Sequence, residues 1–366
     1  MRSALLSLAV VFLMLGCASD GDGGRDAGGF EDAGPELGPP DAGPSPETNV
    51  RYVGRFDDAD PSAVRFSWSG SGFVVRFRGT GARATLRGGR FFTLVVDGDV
   101  QPDPLAVSES DASYDLAADL PNREHTIEVY RRNAGSFGPS VVGGVAVDGE
   151  PLAVPRPSRQ MEIVGDSWST GDGVDAPSES CDFSTQNHYL TWGAVAARAL
   201  DAELSTVALS GKGVVRSGDD RVDPLPVFYD RVIATEAGST GTIRPVDAVF
   251  VSAGANDLIE GELPAEFVVA YASLLEQIRV RHPDAIIACI WPKLPDAAET
   301  ARLREAIDAA IAARLAAGDA RVTGADIELD ELVDLACDGG HPGVETHALM
   351  AENTIAFLMD ELGWSK

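Results

Sequence analysis

The chain has 366 residues, 44% hydrophobic and 23% charged, the balance of a globular protein with material for two cores. Its 57 acidic residues outnumber 29 basic ones, for a formal net charge of -28. Nucleic acid and anionic membrane surfaces need basic patches, so the charge argues against both as partners and is compatible with a neutral substrate.

At the N-terminus Arg2 precedes an apolar run over residues 4–15, followed by Gly16-Cys17. A basic start, an apolar core and a small residue before a cut read as a signal peptide over residues 1–16, and the run is too short for a membrane span. Leu15-Gly16-Cys17 resembles a bacterial lipobox, with Met14 where leucine is more usual. The resemblance implies that Cys17 is the lipidated first residue of the mature chain. Ala18 after it implies an exported lipoprotein of the outer membrane or cell surface, touching the membrane only through its anchor. An ordinary signal peptide cut nearby is the competing reading. Residues 17–48 follow as lipidated cysteine and linker; residues 20–47, rich in Gly, Asp, Ala and Pro, lack the apolar content to order themselves and read as a disordered tether.

Residues 49–157 show short alternating runs separated by Gly or Asp, with strands expected over 63–68, 72–77, 92–96 and 125–130. With no helical period among them, they predict a β-sandwich of the jelly-roll type, with Trp68 in its core. From residue 158 to 366 the texture changes. Apolar strands over 161–164, 205–209, 248–252 and 285–290 alternate with amphipathic helices over 265–279, 298–316 and 345–361. This predicts an α/β domain with a parallel sheet covered on both faces, whose ligand sits at the C-terminal ends of the strands.

Chemistry-bearing residues fall at those ends. Gly165-Asp166-Ser167 follows the first strand, where a serine at a strand-to-helix turn projects its hydroxyl and its own N–H into the crevice. Asp166 is expected to brace that turn. Ser210-Gly211-Lys212-Gly213 follows the second strand, and Gly211 allows close backbone approach to a substrate oxygen. Gly254-Ala255-Asn256-Asp257 follows the third, and the Asn256 amide can complete a set of oxyanion donors with the Ser167 and Gly211 N–H groups. Before the last helix stands Asp338-Gly339-Gly340-His341, an acid placed to hold the imidazole in the tautomer a general base needs. Each segment alone has a bland reading as a turn or cap. His125, His188, His282 and His347 show no metal-ligand spacing, and neither a metal nor an organic cofactor is required. Trp291, after the fourth strand, either stacks on a sugar face or packs. An exported chain permits disulfides: Cys181 and Cys337 both fall in loops and are expected to pair beside Asp338, while Cys289, in an apolar run, is expected as a buried free thiol.

Ser167, Gly211, Asn256 and Asp338-x-x-His341, in this order, resemble the four blocks of the SGNH hydrolase superfamily, from about residue 162 to the C-terminus. The resemblance implies a flavodoxin-like three-layer domain and a serine ester hydrolase with Ser167, Asp338 and His341 as its catalytic residues. Gly54-Arg55-Phe56, Phe66-Ser67-Trp68, His125-Thr126-Ile127-Glu128 and Ser210-Gly211-Lys212-Gly213-Val214-Val215-Arg216 look like carbohydrate esterase family two. That implies removal of acetyl groups from xylan- or glucomannan-type polysaccharide, so that the partner is an acetylated polysaccharide or oligosaccharide. Trp168-Ser169-Thr170 replaces the more usual Ile-Thr-Cys, which bears on substrate preference; several members lack the acidic partner that Asp338 supplies here. The alternatives are a catalytically silent carbohydrate-binding lipoprotein, or an esterase acting on peptidoglycan acetyl groups or on lipid.

Overall fold

Strict alternation along residues 50–152 builds nine antiparallel strands in the computed structural model, which describes residues 49–176, 181–217, 223–259, 261–337 and 340–366. The signal peptide, Cys17 and tether expected over residues 1–48, and Asp338, lie outside the described residues. The strands are β1 (Val50–Val53), β2 (Val64–Phe66), β3 (Gly72–Arg87), β4 (Phe91–Val96), β5 (Asp99–Val100), β6 (Leu105–Ala106), β7 (Ala112–Ala117), β8 (Arg123–Arg131) and β9 (Ser140–Leu152).

The run expected to end at Phe77 continues to Arg87, and the pattern itself shows how. Phe73, Val75 and Phe77 face the core at odd positions; Ala82, Ala84 and Leu86 face it at even ones. A parity change within one strand needs one extra residue, and the β3–β9 register shifts between Gly79 and Ala82. A Cβ on Gly79 would stand 2.2 Å from the Asp148 carbonyl oxygen, so only glycine lets the two backbones cross there. Along β3, residues 72–75 pair with β1 and β8, residues 76–79 with β8 and β9, and residues 82–87 with β7 and β9, so one strand exchanges both of its neighbours along its length.

The parallel sheet consists of β10 (Arg159–Gly165), β11 (Ala202–Ala208), β12 (Ala248–Ser252), β13 (Ile286–Ile290) and β14 (Val322–Ala325), in spatial order β11-β10-β12-β13-β14. This is the flavodoxin-like order 2-1-3-4-5, whose switch point lies beside the first strand. Val164, Val207, Val249, Val251, Ile287 and Cys289 turn to one face, under α4 (Phe267–Arg281) and α5 (Ala297–Ala316). Met161, Ile163, Phe250, Ala288 and Ile290 turn to the other, under α2 (Trp192–Ala199) and α6 (Val344–Leu362). The sequence pattern did not reveal α2, and it missed β14 and the first three residues of β11 because Val322-Thr-Gly-Ala and Ala202-Glu-Leu carry too little apolar content to register as strands. Cys289 is a buried free thiol, as expected, and burial pushes it up to about 12.

Residues 46–366 form one unit, and the contact between its two halves is polar at its centre. Arg55 of the sandwich and Glu162 of β10 are each 1% exposed and meet through three hydrogen bonds of 3.0–3.2 Å. Tyr229 Oη, Ser205 Oγ and His282 Nε2 also reach the Glu162 carboxylate, and Arg55 lies over the Tyr229 ring. Burial works against the charged carboxylate, but Arg55, His282 and Tyr229 outweigh it and hold Glu162 at about 2. Trp68, expected in the sandwich core, is fully buried but in the α/β core, beside Phe228, with its indole N–H on the Arg231 carbonyl. The Phe66-Ser67-Trp68 run is therefore a plug from one domain into the other: Phe66 packs in the sandwich while Ser67 Oγ accepts from Ala234 N.

Removing one member of a buried ion pair leaves the other charge uncompensated. Arg55→Ala is expected to destabilise the unit by about 3–5 kcal/mol, read as a fall in the midpoint of denaturant unfolding; an effect under about 1 kcal/mol, the scale of an exposed pair, would show that the pair does not hold the halves together.

Candidate active site

The end of β10 is shaped by close packing. A Cβ on Gly165 would meet Ser169 Oγ at 2.3 Å and the Ser252 carbonyl at 2.9 Å, so glycine is the residue that fits between β12 and the next turn. The chain then turns into α1 (Ser167–Thr170), with Asp166 as its N-cap, accepting from Trp168 N. Ser167 is half-buried at the first helical position. Among the described residues no acceptor takes the Ser167 or Gly211 N–H. Gly211 has φ +74°, the left-handed region where glycine is not strained.

Three loops are tied to that turn. Ser210 Oγ lies 3.2 Å from Thr170 Oγ1, which joins the loop after β11 to α1. Asn256 donates to Asp166 Oδ2 at 2.9 Å and to the Lys212 carbonyl at 3.3 Å, which joins the loop after β12 to both others. Asp257, fully buried, accepts from Val214, Val215 and Arg216 N at 2.7–2.8 Å. Burial still leaves its carboxyl above the usual range despite those bonds. Sequence reasoning gave Asp257 no role; its signal was Gly213, where a Cβ would stand 2.4 Å from Asp257 Oδ2.

His341 reaches the same place from the C-terminal side. Ala336 and His341 face each other across the strand pair β15 (Leu335–Ala336) and β16 (His341–Pro342). Helix α1 packs against β16, and Trp168 Nε1 donates to the Gly340 carbonyl at 3.4 Å. Asp334 fixes the start of the following helix, accepting from Glu345 N and Thr346 N at 2.9 and 2.7 Å. Cys181 and Cys337 form a disulfide with a Cα–Cα distance of 4.9 Å. Their sulfurs and a His341 ring nitrogen all lie within 4.8 Å of one another, so the bridge stands directly beside the imidazole. The sulfurs are bonded to each other and offer no thiolates to a metal there.

The structure thus brings Ser167, Gly211, Asn256 and His341 to one end of the sheet. Trp291 is held elsewhere: Arg304 lies over its ring at 3.9 Å, its N–H donates to Asp308 at 2.8 Å, and Gly324 packs under it. These contacts belong to α5 and β14, and among the described residues no hydrogen bond or ring contact joins Trp291 to the Ser167 group. The other histidines are committed elsewhere, His282 to the Glu162 carboxylate. His188 and His347 are buried and pushed down to about 3, chiefly by desolvation, and His125 is bound between Asp97 and the Pro121 carbonyl.

Two carboxyls under the Ser167 turn are shifted strongly upward. Burial, aided by Asp172, pushes Asp166 up to about 7. Burial, aided by Asp166, pushes Glu328 up to about 8, against the Lys293 N–H bond at 2.8 Å. Proximity of two buried acids was not legible from positions 166 and 328.

The arrangement supplies a hydroxyl, an imidazole and several N–H donors around one point, the equipment for acyl transfer. Comparison with known proteins agrees. Residues 52–157 match the model of the carbohydrate esterase 2 N-terminal domain, and residues 163–349 that of the GDSL-like lipase/acylhydrolase family. The cellulase/esterase CelE of Acetivibrio thermocellus is 29% identical over 327 residues, covering 86% of this chain; the chain spans only 40% of that protein's length. An acetylxylan esterase/glucomannan deacetylase of Cellvibrio japonicus is 24% identical over 259 residues, covering 66% of this chain and 70% of that protein. The crystal structure of a family 2 carbohydrate esterase with a carbohydrate-binding domain, from Myceliophthora fergusii, superposes with a TM-score of 0.73 at 30% identity, covering 86% of this chain and all of the other.

An acid whose folded-state value is raised binds its proton more tightly when folded. Its burial therefore costs nothing below the unfolded value near 4 and costs progressively more as the pH rises toward the folded value. Glu328→Gln removes that cost, so the variant's unfolding midpoint relative to wild type should climb between pH 5 and pH 8. A pH-independent difference in thermal melts would show that Glu328 is ionised throughout.

Proposed function

Because the chain belongs to carbohydrate esterase family 2, with a GDSL-like lipase/acylhydrolase domain behind its front domain, we propose that it is a serine esterase that removes acetyl groups from a polysaccharide of the xylan or glucomannan type. The observation that carries the reading is the junction of α1 with β16, which sets the Ser167 turn against the His341 strand at the switch-point end of the sheet. The activities of the relatives, acetylxylan esterase and glucomannan deacetylase among them, support the acetyl substrate.

His341 takes the Ser167 proton as the serine oxygen attacks the acetyl carbonyl carbon. The carbonyl oxygen becomes an oxyanion, received by the Ser167 and Gly211 N–H groups and the Asn256 amide. Of the two Asn256 bonds, the 3.3 Å one to the Lys212 carbonyl is the weaker, and its hydrogen is the one a substrate oxygen would take over; the 2.9 Å bond to Asp166 keeps the amide aimed. His341 then gives its proton to the departing sugar hydroxyl, which leaves an acetyl-serine. A water molecule, deprotonated by His341, attacks that ester, and acetate leaves as Ser167 regains its proton. Asp338, three residues before His341, is assigned as the carboxylate that orients the imidazole. We read Cys17 as the site of a lipid anchor, supported by the apolar run over residues 4–15 and by Leu15-Gly16-Cys17. Fatty-acid labelling in a bacterial host that is lost in Cys17→Ser is the expected result.

With p-nitrophenyl acetate, Ser167→Ala should lose at least about 10³-fold in kcat, and Asn256→Ala about 10²–10³-fold. Activity surviving in Ser167→Ala would defeat the assignment. Acetate release from acetylated xylan and glucomannan, absent in Ser167→Ala, tests the substrate class.

A further inference from the structure

A cleft of about 690 Å³ opens at the other end of the α/β domain. One wall is the outward face of the sandwich, where register sets Arg51 beside Val74 and Val74 beside Glu128, with Tyr130 two residues further along β8. The other wall is Tyr189, the last turn of α2 with Arg198, and the first residues of β11 with Glu203. Ser167 and Gly211 follow the C-terminal ends of β10 and β11, whereas this cleft touches the N-terminal end of β11. A seven-residue strand puts roughly 20 Å between the two places.

Its chemistry departs from that of the chain as a whole. In a protein with 57 acidic and 29 basic residues, this cleft sets Arg51, Arg76, Arg156 and Arg198 against the carboxylates of Glu128, Asp201 and Glu203. Glu203 is shared by Arg51 and Arg156, and Glu124 by Arg76 and Arg78, so each carboxylate serves two guanidinium groups. Burial, together with the like charges of Arg244 and Arg51, pushes Arg156 down to about 10 in spite of Glu203. Arg198 lies 3.6 Å over the Tyr189 ring, exposed on α2, with the Glu128 carboxylate acting on it across the cleft but, among the described residues, no carboxylate in ion-pair contact. A guanidinium stacked on a ring keeps its in-plane N–H donors for a bidentate contact with a carboxylate. Tyr130 and Tyr189, with ring centroids 5.8 Å apart, add aromatic bodies with polar tips, the surface a sugar ring packs on.

We propose that this cleft is a second saccharide site, separate from the Ser167 site, which takes a glycan segment bearing a sugar carboxylate. The proposal deepens the esterase reading: the polysaccharide whose acetyl groups are removed carries uronic acid substituents, and the cleft holds the chain by them. Its test keeps the two readings apart by measuring binding in the Ser167→Ala protein and catalysis in the parent chain. In calorimetry, Ser167→Ala should bind a xylo-oligosaccharide carrying one glucuronic acid at least tenfold more tightly than the unsubstituted oligosaccharide. The preference should shrink as salt is raised. Adding Arg198→Glu should abolish the preference, and adding Arg198→Gln, which keeps a side chain over Tyr189, should reduce it. The same Arg198 substitutions in the parent chain should leave p-nitrophenyl acetate hydrolysis unchanged. Equal binding of the two oligosaccharides, or a preference that survives Arg198→Glu, would overturn the second site and leave the esterase assignment standing.

Discussion

The Glu162 carboxylate is the constraint on which the rest of the structure depends. It sits in the middle of β10, the strand at the switch point, and it is fully buried. A lone carboxylate there would be untenable, so five groups converge on it or its partner: Arg55 from the sandwich, Ser205 from the neighbouring strand, Tyr229, His282, and the Tyr229 carbonyl on Arg55. Ser167 follows five residues later on the same stretch of backbone. The nucleophile's position is thus referred to the front domain through a single strand, and the buried pair and the Trp68 plug tie the two halves into one unit.

The site is built from the same kind of element, short loops held by buried carboxylates rather than by packing alone. Asp166 caps the nucleophile's turn and aims Asn256; Asp257 gathers three successive N–H groups of the loop carrying Gly211; Asp334 caps the helix behind His341. Each carboxylate organises a loop other than its own or the terminus of a helix. Glycines at 165 and 213 make room where these groups approach. The disulfide adds a covalent tie on the His341 side, where the strand pair β15–β16 is only two residues long. Preorganisation of this kind is what an oxyanion site needs, since donors that must rearrange at the moment of reaction give back what they stabilise.

Much of this was legible in the sequence, for reasons that separate cleanly. Continuous apolar runs such as Ala248–Ser252 announce parallel strands because such strands are covered on both faces. The motifs follow strand ends because an open parallel sheet forms its crevice there. What depended on two distant positions was not legible. Arg55 and Glu162 lie 107 residues apart, and nothing local marks either as a partner. Trp68 reads as sandwich core because its neighbours do; only the packed molecule shows that Phe66 faces one core and Trp68 the other. The length of β3 was hidden by its own bulge, which breaks the period of two that defines a strand.

The same separation explains how one chain can keep two chemically different surfaces. At the C-terminal ends of the strands, buried acids accept backbone N–H groups and so hold the loops around Ser167. At the N-terminal end of β11, Arg51 and Arg156 share Glu203, and Arg198 stacks on the Tyr189 ring in an open cleft. A chain of net charge -28 repels an anionic polymer over most of its surface, so an acidic glycan would be drawn only to a place where the sign is locally reversed. Arg51 and Arg156 of that place share Glu203 of β11 across the domain contact, so the arginines of the sandwich side are held by a carboxylate of the other half. The front domain therefore contributes charge as well as shape, and it does so through residues fixed by the same interface that fixes the nucleophile.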